Sequence, residues 1–257
     1  MAEKLSMSQR LAKAYGSQQI ENLKATHAYT HGRAESVAEW GDIWSHHEEV
    51  AWAHTFGRMR GFDQIWFGSV TYYDAQAMER FLSIYKKYPE VGGKDPRPLL
   101  EASVHTLVTD VIEVADDGVT ARGSFITPGM VSTRMTEDGK PYAMILWERY
   151  GSDFICEDGE WKYLHEHVCP DIVGELDHTN WAKADFEDQL QKESYTGFNP
   201  TTGTWQVPPP LTDPGPMHVP YSVIMPPQDS VPWPEPYETM DNEHTYAPLI
   251  GKVKHIP

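Results

Sequence analysis

The stretch Asp158-Gly159-Glu160-Trp161-Lys162-Tyr163-Leu164-His165-Glu166-His167-Val168 opens with a tight-turn dipeptide and continues with alternating side chains. Because successive side chains of a strand point to opposite faces, one face should carry two aromatic and then two imidazole rings. These four residues are Trp161, Tyr163, His165 and His167; Lys162, Leu164, Glu166 and Val168 should share the other face. Imidazole titrates near neutral pH, so the strand is predicted to line a pocket in which protons are transferred.

The same alternation extends through the middle of the chain. Strands are predicted at 103–115, 119–128, 142–156 and 160–169, joined by hairpin-type turns at 116–118, 137–140 and 157–159. Upstream, helical spacing predicts helices at 3–30, 34–48 and 62–87, with a short strand at 50–53 and a turn at 57–61. Helices followed by an antiparallel meander indicate an α+β fold, with the helices packed on one face of a curved sheet.

The first predicted helix carries a stripe that should face the core. Ile20, Leu23, His27 and His31 recur at helical spacing. Ser17 is a candidate N-cap for a second helix after Gly16. The stripe therefore predicts that His27 faces inward and that His31 lies one turn later, at the pocket rim.

The C-terminal part has a different composition. Residues 171–196 are predicted to be partly helical, and 13 of the 20 prolines fall within 207–257. Proline disfavours helices and central strands, so an extended arm is expected. The arm also carries aromatic residues such as Trp233, Tyr237 and Tyr246, which are rare in disordered tails. We therefore predict a pocket domain at 1–176 and, at 177–257, a helical segment and an arm that packs on this domain or a neighbouring subunit.

Charge and composition exclude several classes of protein. The net charge of −17 argues against binding to nucleic acid or to an anionic membrane surface. Two cysteines, Cys156 and Cys169, are too few for a disulfide framework and favour a reduced, cytoplasmic protein. The first residues lack the apolar core of a signal peptide, and no apolar run predicts a membrane helix.

The order of several segments resembles the SnoaL-like branch of the nuclear transport factor 2-like superfamily. The segments are Ile20-x-x-Leu23-x-x-x-His27, Trp52-Ala53-His54-Thr55-Phe56-Gly57-Arg58, Val104-His105-Thr106-Leu107-x-x-x-Val111-Ile112-Glu113-Val114, Tyr150-Gly151-Ser152-Asp153-Phe154, and the closing strand at 159–167. The resemblance implies a cone-shaped sheet that encloses a deep pocket. Family members include cofactor-free cyclases, isomerases and dehydratases, and also plain binding proteins, so the fold alone does not fix the function.

The resemblance and the face assignments together predict the site. The predicted acid–base groups are His27, His165, His167 and Tyr150, and the predicted substrate-binding residues are His31, Trp52, His105, Phe125 and Tyr163. Related proteins often carry an acid two residues beyond the tyrosine, where this chain has Ser152. Asp42 is a possible substitute carboxylate, and Asp153 is expected to be a structural hydrogen-bond acceptor.

The resulting hypothesis is a cofactor-independent lyase that acts on a hydroxylated aromatic or polycyclic molecule. Length and aromatic content favour similarity to lyases that remove formaldehyde from lignin-derived diarylpropane diols. A hydroxysteroid dehydratase or isomerase and a non-catalytic binding protein remain alternatives, and the arm is expected to support a homodimer or homotrimer.

A metal-dependent enzyme is a further alternative. His165 and His167 could bind a metal with His105 or His27 as a third ligand, although no carboxylate is clearly spaced to complete the site. The His46-His47-Glu48-Glu49 run is expected to be a solvated helix end.

Overall fold

The computed structural model describes residues 5–32, 36–54, 57–72, 102–135, 141–175, 198–199, 204–205, 212–214, 231–241 and 243–247. The predicted turn at 137–140 and most of the segments predicted to be helical at 62–87 and 171–196 lie outside these residues. Within the described ranges, no helix combines the length and apolar character needed to cross a bilayer.

The first helix, α1 (Met7–Gly32), is continuous. The predicted break after Gly16 is wrong, because Gly16 lies where α1 approaches the sheet. A Cβ at this position would lie 3.2 Å from side-chain atoms of Trp161 and Val114. The glycine is therefore explained by close packing rather than by a helix end.

The second helix, α2 (Ser36–Trp40), is much shorter than the predicted 34–48. The chain turns after Trp40, and Trp44 then forms a parallel bridge with Tyr163. Residues 46–49 consequently belong to a loop and are not a helix end. Helix α3 (Phe62–Trp66) begins where predicted and continues as a π-helical segment (Phe67–Tyr72).

Most strands belong to one open, curved sheet. Its strands are β1 (Ala51–His54), β2 (Gly57–Arg60), β3 (Ala102–His105), β4 (Val108–Val114), β5 (Thr120–Met135), β6 (Pro141–Glu157), β7 (Glu160–Glu175) and β10 (Asp213–Pro214). The order of these described strands is β10-β2-β1-β7-β6-β5-β3, and β4 also pairs with β5. Among these strand pairs, β1–β7 is parallel and the others are antiparallel. Strands β8 (Phe198–Asn199) and β9 (Thr204–Trp205) form a separate hairpin.

The predicted α+β class is confirmed, with two local corrections. The predicted turn at 57–61 is mostly strand β2, and the predicted strand 103–115 is interrupted at 106–107. The Asp158-Gly159 turn forms as expected, since both residues have the positive φ angles, 53° and 85°, that this hairpin turn requires.

A β-bulge in β7 changes the faces that simple alternation predicts. Phe154 of β6 is opposite Tyr163, but Asp153 is opposite His165, so Leu164 is an extra residue. Side chains directly opposite each other in a ladder share a face. The predicted common face of Tyr163, His165 and His167 is therefore wrong, because the bulge separates Tyr163 from the two histidines.

The two faces of the sheet have different coverings. The inner face packs against α1, with Phe125, Tyr150, Phe154 and Tyr163 in the same core cluster as Ile20. The outer face carries the C-terminal segment, which we define as residues 231–241 and 243–247. Tyr237 and Met240 pack with Leu164 and Ile155, and Val231 and Tyr246 pack with Cys169.

Candidate active site

A histidine, a tyrosine and a glutamate are hydrogen-bonded on the inner face. The Tyr150 hydroxyl donates to Glu148 Oε2 at 2.9 Å. His105 Nδ1 lies 3.2 Å from the Tyr150 oxygen and 3.3 Å from Glu148 Oε2. Both neighbouring oxygens accept, so the proton is placed on Nδ1 and the lone pair on Nε2 is left to act as a base.

Glu148 is a fully buried carboxylate that serves as the anion of this group. Burial alone would raise the pKa of Glu148, but the hydrogen bonds and charges of His105 and His54 lower it well below its usual value. His54 Nε2 lies 3.9 Å from Glu148 Oε1. A carboxylate that stays ionised next to an imidazole stabilises the imidazolium that forms when the base takes up a proton.

A second imidazole–carboxylate pair lies beside the first. His31 Nδ1 donates to Glu39 Oε1 at 2.7 Å, which joins the end of α1 to α2. The ring centroids of His31 and His105 are 4.6 Å apart, in an edge-to-face arrangement. A substrate oxygen at one ring would therefore lie close to the other, and an acid and a base can act on one molecule.

His27 lies deeper in the same cluster and has a different electrostatic state. Its ring is stacked at 6.0 Å on His31 and lies 5.7 Å from the Tyr163 ring. Desolvation lowers the pKa of His27 to about 3, and the attraction of Glu39 offsets this only in part. His27 is therefore neutral at physiological pH and is suited to hydrogen bonding rather than to delivering a proton as a cation.

The state of His27 predicts an acid-dependent loss of stability. The pKa of His27 is about 3 in the folded chain and 6.5 for an unperturbed imidazole, so between these pH values the unfolded chain binds one more proton. The free energy of unfolding should thus fall as the pH falls, by about 2 kcal/mol from this group between pH 7 and pH 5. Urea unfolding of wild type and His27→Leu at pH 7 and at pH 5 measures this loss of stability. Between the two pH values, the free energy of unfolding of the variant should fall by about 2 kcal/mol less than that of wild type. Equal losses would contradict a buried neutral imidazole.

A cavity of about 700 Å³ lies between α1 and the β3–β4 region. Lys24, His105 and Phe125 contribute to its wall. The remaining described lining residues are Glu21, Ala25, Ala28, Tyr29, Gly32, Val104, Thr106, Leu107, Val108 and Asp110. This volume suits a drug-sized ligand, and the wall is mainly apolar with a few polar groups, as is usual for small-molecule sites.

The floor of the cavity is formed by a buried lysine. Lys24 Nζ donates to Glu166 Oε1 at 2.8 Å and to Ser152 Oγ at 3.3 Å. It also lies within about 5 Å of three aromatic ring centroids, those of Phe125, Tyr150 and Tyr163. Desolvation lowers the pKa of Lys24, whereas the Glu166 carboxylate opposes that change.

The predicted site residues separate into two groups. Six of them lie close together on the inner side: His27, His31, His105, Phe125, Tyr150 and Tyr163. Of these six, His105 and Phe125 are among the described residues that line the cavity. Trp52 is also on the inner side and packs edge-to-face against Trp40, outside the described cavity lining.

The other two predicted acid–base groups, His165 and His167, are fully buried on the outer face. His165 Nδ1 lies 2.9 Å from Asp153 Oδ2, and its Nε2 lies 3.0 Å from the Glu49 carbonyl oxygen. Asp153 also accepts hydrogen bonds from Thr245 and from the Tyr246 backbone. His167 is opposite Gly151, whose missing Cβ would meet Tyr246. Both predicted positions are therefore corrected. Both ring nitrogens of His165 contact protein oxygens, and through Asp153 this residue joins the C-terminal segment to the loop before β1.

Two other candidates are also placed differently from the prediction. Asp42 is exposed, and the carboxylate that α2 supplies to the site is Glu39. His46 is exposed and stacks on Phe62. The described parts of the chain contain no group of three or more His, Cys, Asp or Glu residues arranged to hold a metal ion.

Four residues of the inner cluster were missed in the sequence: Lys24, Glu39, Glu148 and Glu166. Glu148 could have been found, since strict alternation through Glu148, Tyr150, Ser152 and Phe154 places them on one face. The carboxylate thus lies two residues before the tyrosine rather than two after it. Lys24 is next to the predicted stripe of α1 but is charged, and charged residues are rarely buried without a partner.

The chain belongs to the SnoaL-like domain family, whose model matches residues 16–166. This confirms the resemblance seen in the sequence. The family model covers the inner cluster from α1 to Glu166 and stops before the C-terminal segment.

Several solved structures are similar to the chain over about two thirds of its length. The hexachlorocyclohexane dehydrochlorinase LinA-type3 from Novosphingobium barchaimii LL02 is 14% identical, with 67% of this chain and 95% of that chain covered and a TM-score of 0.44. An NTF2-like protein with a cystatin-like fold from Novosphingobium aromaticivorans is 15% identical, with 70% and 94% covered and a TM-score of 0.41. An NTF2-like superfamily protein from Salmonella enterica serovar Typhimurium LT2 is also 15% identical, with 65% and 94% covered and a TM-score of 0.41. No curated protein matches the chain.

Proposed function

We propose that the chain is a cofactor-independent lyase that uses His105 and His31 as an acid–base pair on a hydroxylated aromatic or polycyclic molecule. The observation that carries this proposal is the placement of His105. Its ring lines the cavity while its Nδ1 is held by Glu148 and Tyr150. The acid and base needed for an elimination are thus both protein side chains.

In the proposed reaction, His105 Nε2 removes a proton from a hydroxyl or an acidic C–H group. The imidazolium of His31, paired with Glu39, donates a proton to the departing hydroxyl, which leaves as water. With a simple alcohol, one C–O bond breaks and a double bond forms, which is a dehydration.

A phenolic diarylpropane diol would follow a longer course. Loss of the benzylic hydroxyl as water, with the phenol proton removed, gives a quinone methide. Deprotonation of the terminal alcohol then breaks the C–C bond, releases formaldehyde, and returns the electron pair to the quinone methide. The product is a stilbene, and the net loss is one water and one formaldehyde.

The test is incubation of chelator-treated wild type and His105→Gln with diarylpropane diols and hydroxysteroids, followed by mass spectrometry. We expect a wild-type product lighter by water, or by water plus formaldehyde, and little product with the variant. Binding of a panel compound without any change of mass would favour the binding-protein alternative. Turnover that the chelator abolishes and a metal restores would contradict cofactor independence.

A further inference from the structure

Tyr163 and three residues near it carry buried polar atoms without a hydrogen-bond partner in the described part of the chain. They are the Tyr163 hydroxyl, Glu166 Oε2, His27 Nδ1 and Trp44 Nε1. Buried polar side-chain atoms are normally paired, because an unpaired one costs about 1–3 kcal/mol. A concentration of such atoms at one place therefore calls for a molecule that is bound there.

The contacts of Tyr163 hold these groups close together. Its ring stacks on Trp44 at 5.0 Å and lies 5.7 Å from the His27 ring. Lys24 Nζ is 5.1 Å from the Tyr163 ring centroid and 2.8 Å from Glu166 Oε1. Tyr163 and Glu166 are both completely buried, so the group lies in the interior.

The same lysine connects this group with the cavity. Lys24 and Phe125 line the cavity, and Lys24 Nζ lies 4.5 Å from the Phe125 ring centroid. Lys24 thus contacts the cavity on one side and the buried side chains of Glu166 and Tyr163 on the other. None of the four atoms without partners belongs to the His105–Glu148 or the His31–Glu39 pair, so the acid–base step proposed above does not use them.

The geometry points to a second polar subsite, formed by Lys24, Glu166 and Tyr163, that binds a ring hydroxyl of the ligand. A hydroxyl group both donates and accepts, so it can donate to Glu166 Oε2 and accept from the Tyr163 hydroxyl or the Lys24 ammonium. The cavity wall accommodates the apolar ring that carries this hydroxyl. The inference deepens the proposed function and rests on it for the use of this cavity: the substrate is a phenol or ring alcohol with a further hydroxyl that reaches His105.

Tyr163→Phe is a precise probe, because it removes one oxygen atom and keeps the ring. If the hydroxyl has no partner in the free protein, the variant should unfold at the same temperature as wild type or a higher one. The ligand pair is 2-naphthol and naphthalene, which differ only in the hydroxyl group. Calorimetric titration should show that wild type binds 2-naphthol about tenfold more tightly than naphthalene, which is about 1.4 kcal/mol.

The variant should lose most of this preference for 2-naphthol while binding naphthalene as wild type does. Tyr15→Phe is the matched control, since Tyr15 is 67% exposed on α1, and its preference should equal that of wild type. An unchanged preference in Tyr163→Phe would overturn the subsite. A lower melting temperature would also overturn it, as would wild type that binds neither compound. If wild type prefers 2-naphthol to naphthalene but converts none of the diols, the subsite would stand and the proposed lyase function would be rejected.

Discussion

Replacing His105 with glutamine, or Glu148 with glutamine, is expected to lower kcat/KM by about 10³-fold, since general acid–base groups typically contribute 10²–10⁴-fold. The two variants should have similar effects for different reasons. His105→Gln removes the base itself. Glu148→Gln keeps a polar group of the same size but removes the anion that fixes the proton on Nδ1 and stabilises the imidazolium.

The assay is steady-state turnover of whichever panel compound wild type converts. Glu160→Gln and His46→Gln are matched controls, because both side chains are exposed and lie outside the inner cluster. They should retain activity within about twofold, and circular dichroism should show that all four variants are folded. Full activity of Glu148→Gln would mean that the buried carboxylate does not support the base, and the proposed mechanism would fail.

Much of the fold follows from local signals in the sequence. Turn residues at Asp158-Gly159 and alternation along 142–156 predict the central hairpin, because the turn requires positive φ and the strand pattern has period two. The stripe through Ile20 and His27 predicts the inner side of α1 for the same kind of reason. These are short-range effects, in which each residue's preference agrees with the final structure.

The error at His165 and His167 has a specific physical cause. A bulge inserts one residue, Leu164, and reverses the face of every residue after it up to the next irregularity. Nothing in the alternating letters of the strand indicates the bulge, because a bulge is a property of the pairing with the partner strand. The same reversal brought Glu166 from the predicted outer face to a position beside Lys24.

The site was therefore only partly predictable. The inner-side positions of His27, His31, His105 and Tyr150 could be predicted because they follow from helix and strand periodicity. Glu39 was missed because α2 ends at Trp40, which brings the first turn of this helix rather than Asp42 to His31. Such pairs join distant parts of the chain, and a residue's own sequence neighbourhood carries little information about them.

Among the variants proposed here, the one that removes the cation of the buried Lys24–Glu166 ion pair should show the largest loss of stability. Lys24→Met is expected to lower the free energy of unfolding by about 3–5 kcal/mol, because it leaves the Glu166 charge buried without its partner. The side chains of Lys24 and Glu166 are 2% and 0% exposed, so water cannot solvate the remaining carboxylate. Urea unfolding at pH 7 measures the loss.

The double variant Lys24→Met with Glu166→Gln separates the pair energy from the packing. It removes both charges at nearly constant volume, so it should be more stable than Lys24→Met alone. With wild type and the single variant Glu166→Gln, the two variants form a double-mutant cycle that measures the coupling energy of the pair. Lys13→Met is the matched control, since Lys13 pairs with Glu113 and Asp116 at partly exposed positions and should cost at most about 1 kcal/mol. If the double variant were no more stable than Lys24→Met, the loss would come from packing of the lysine stem against the three rings. Lys24 would then be a structural residue of the core, and the charge of its ammonium would contribute little to stability.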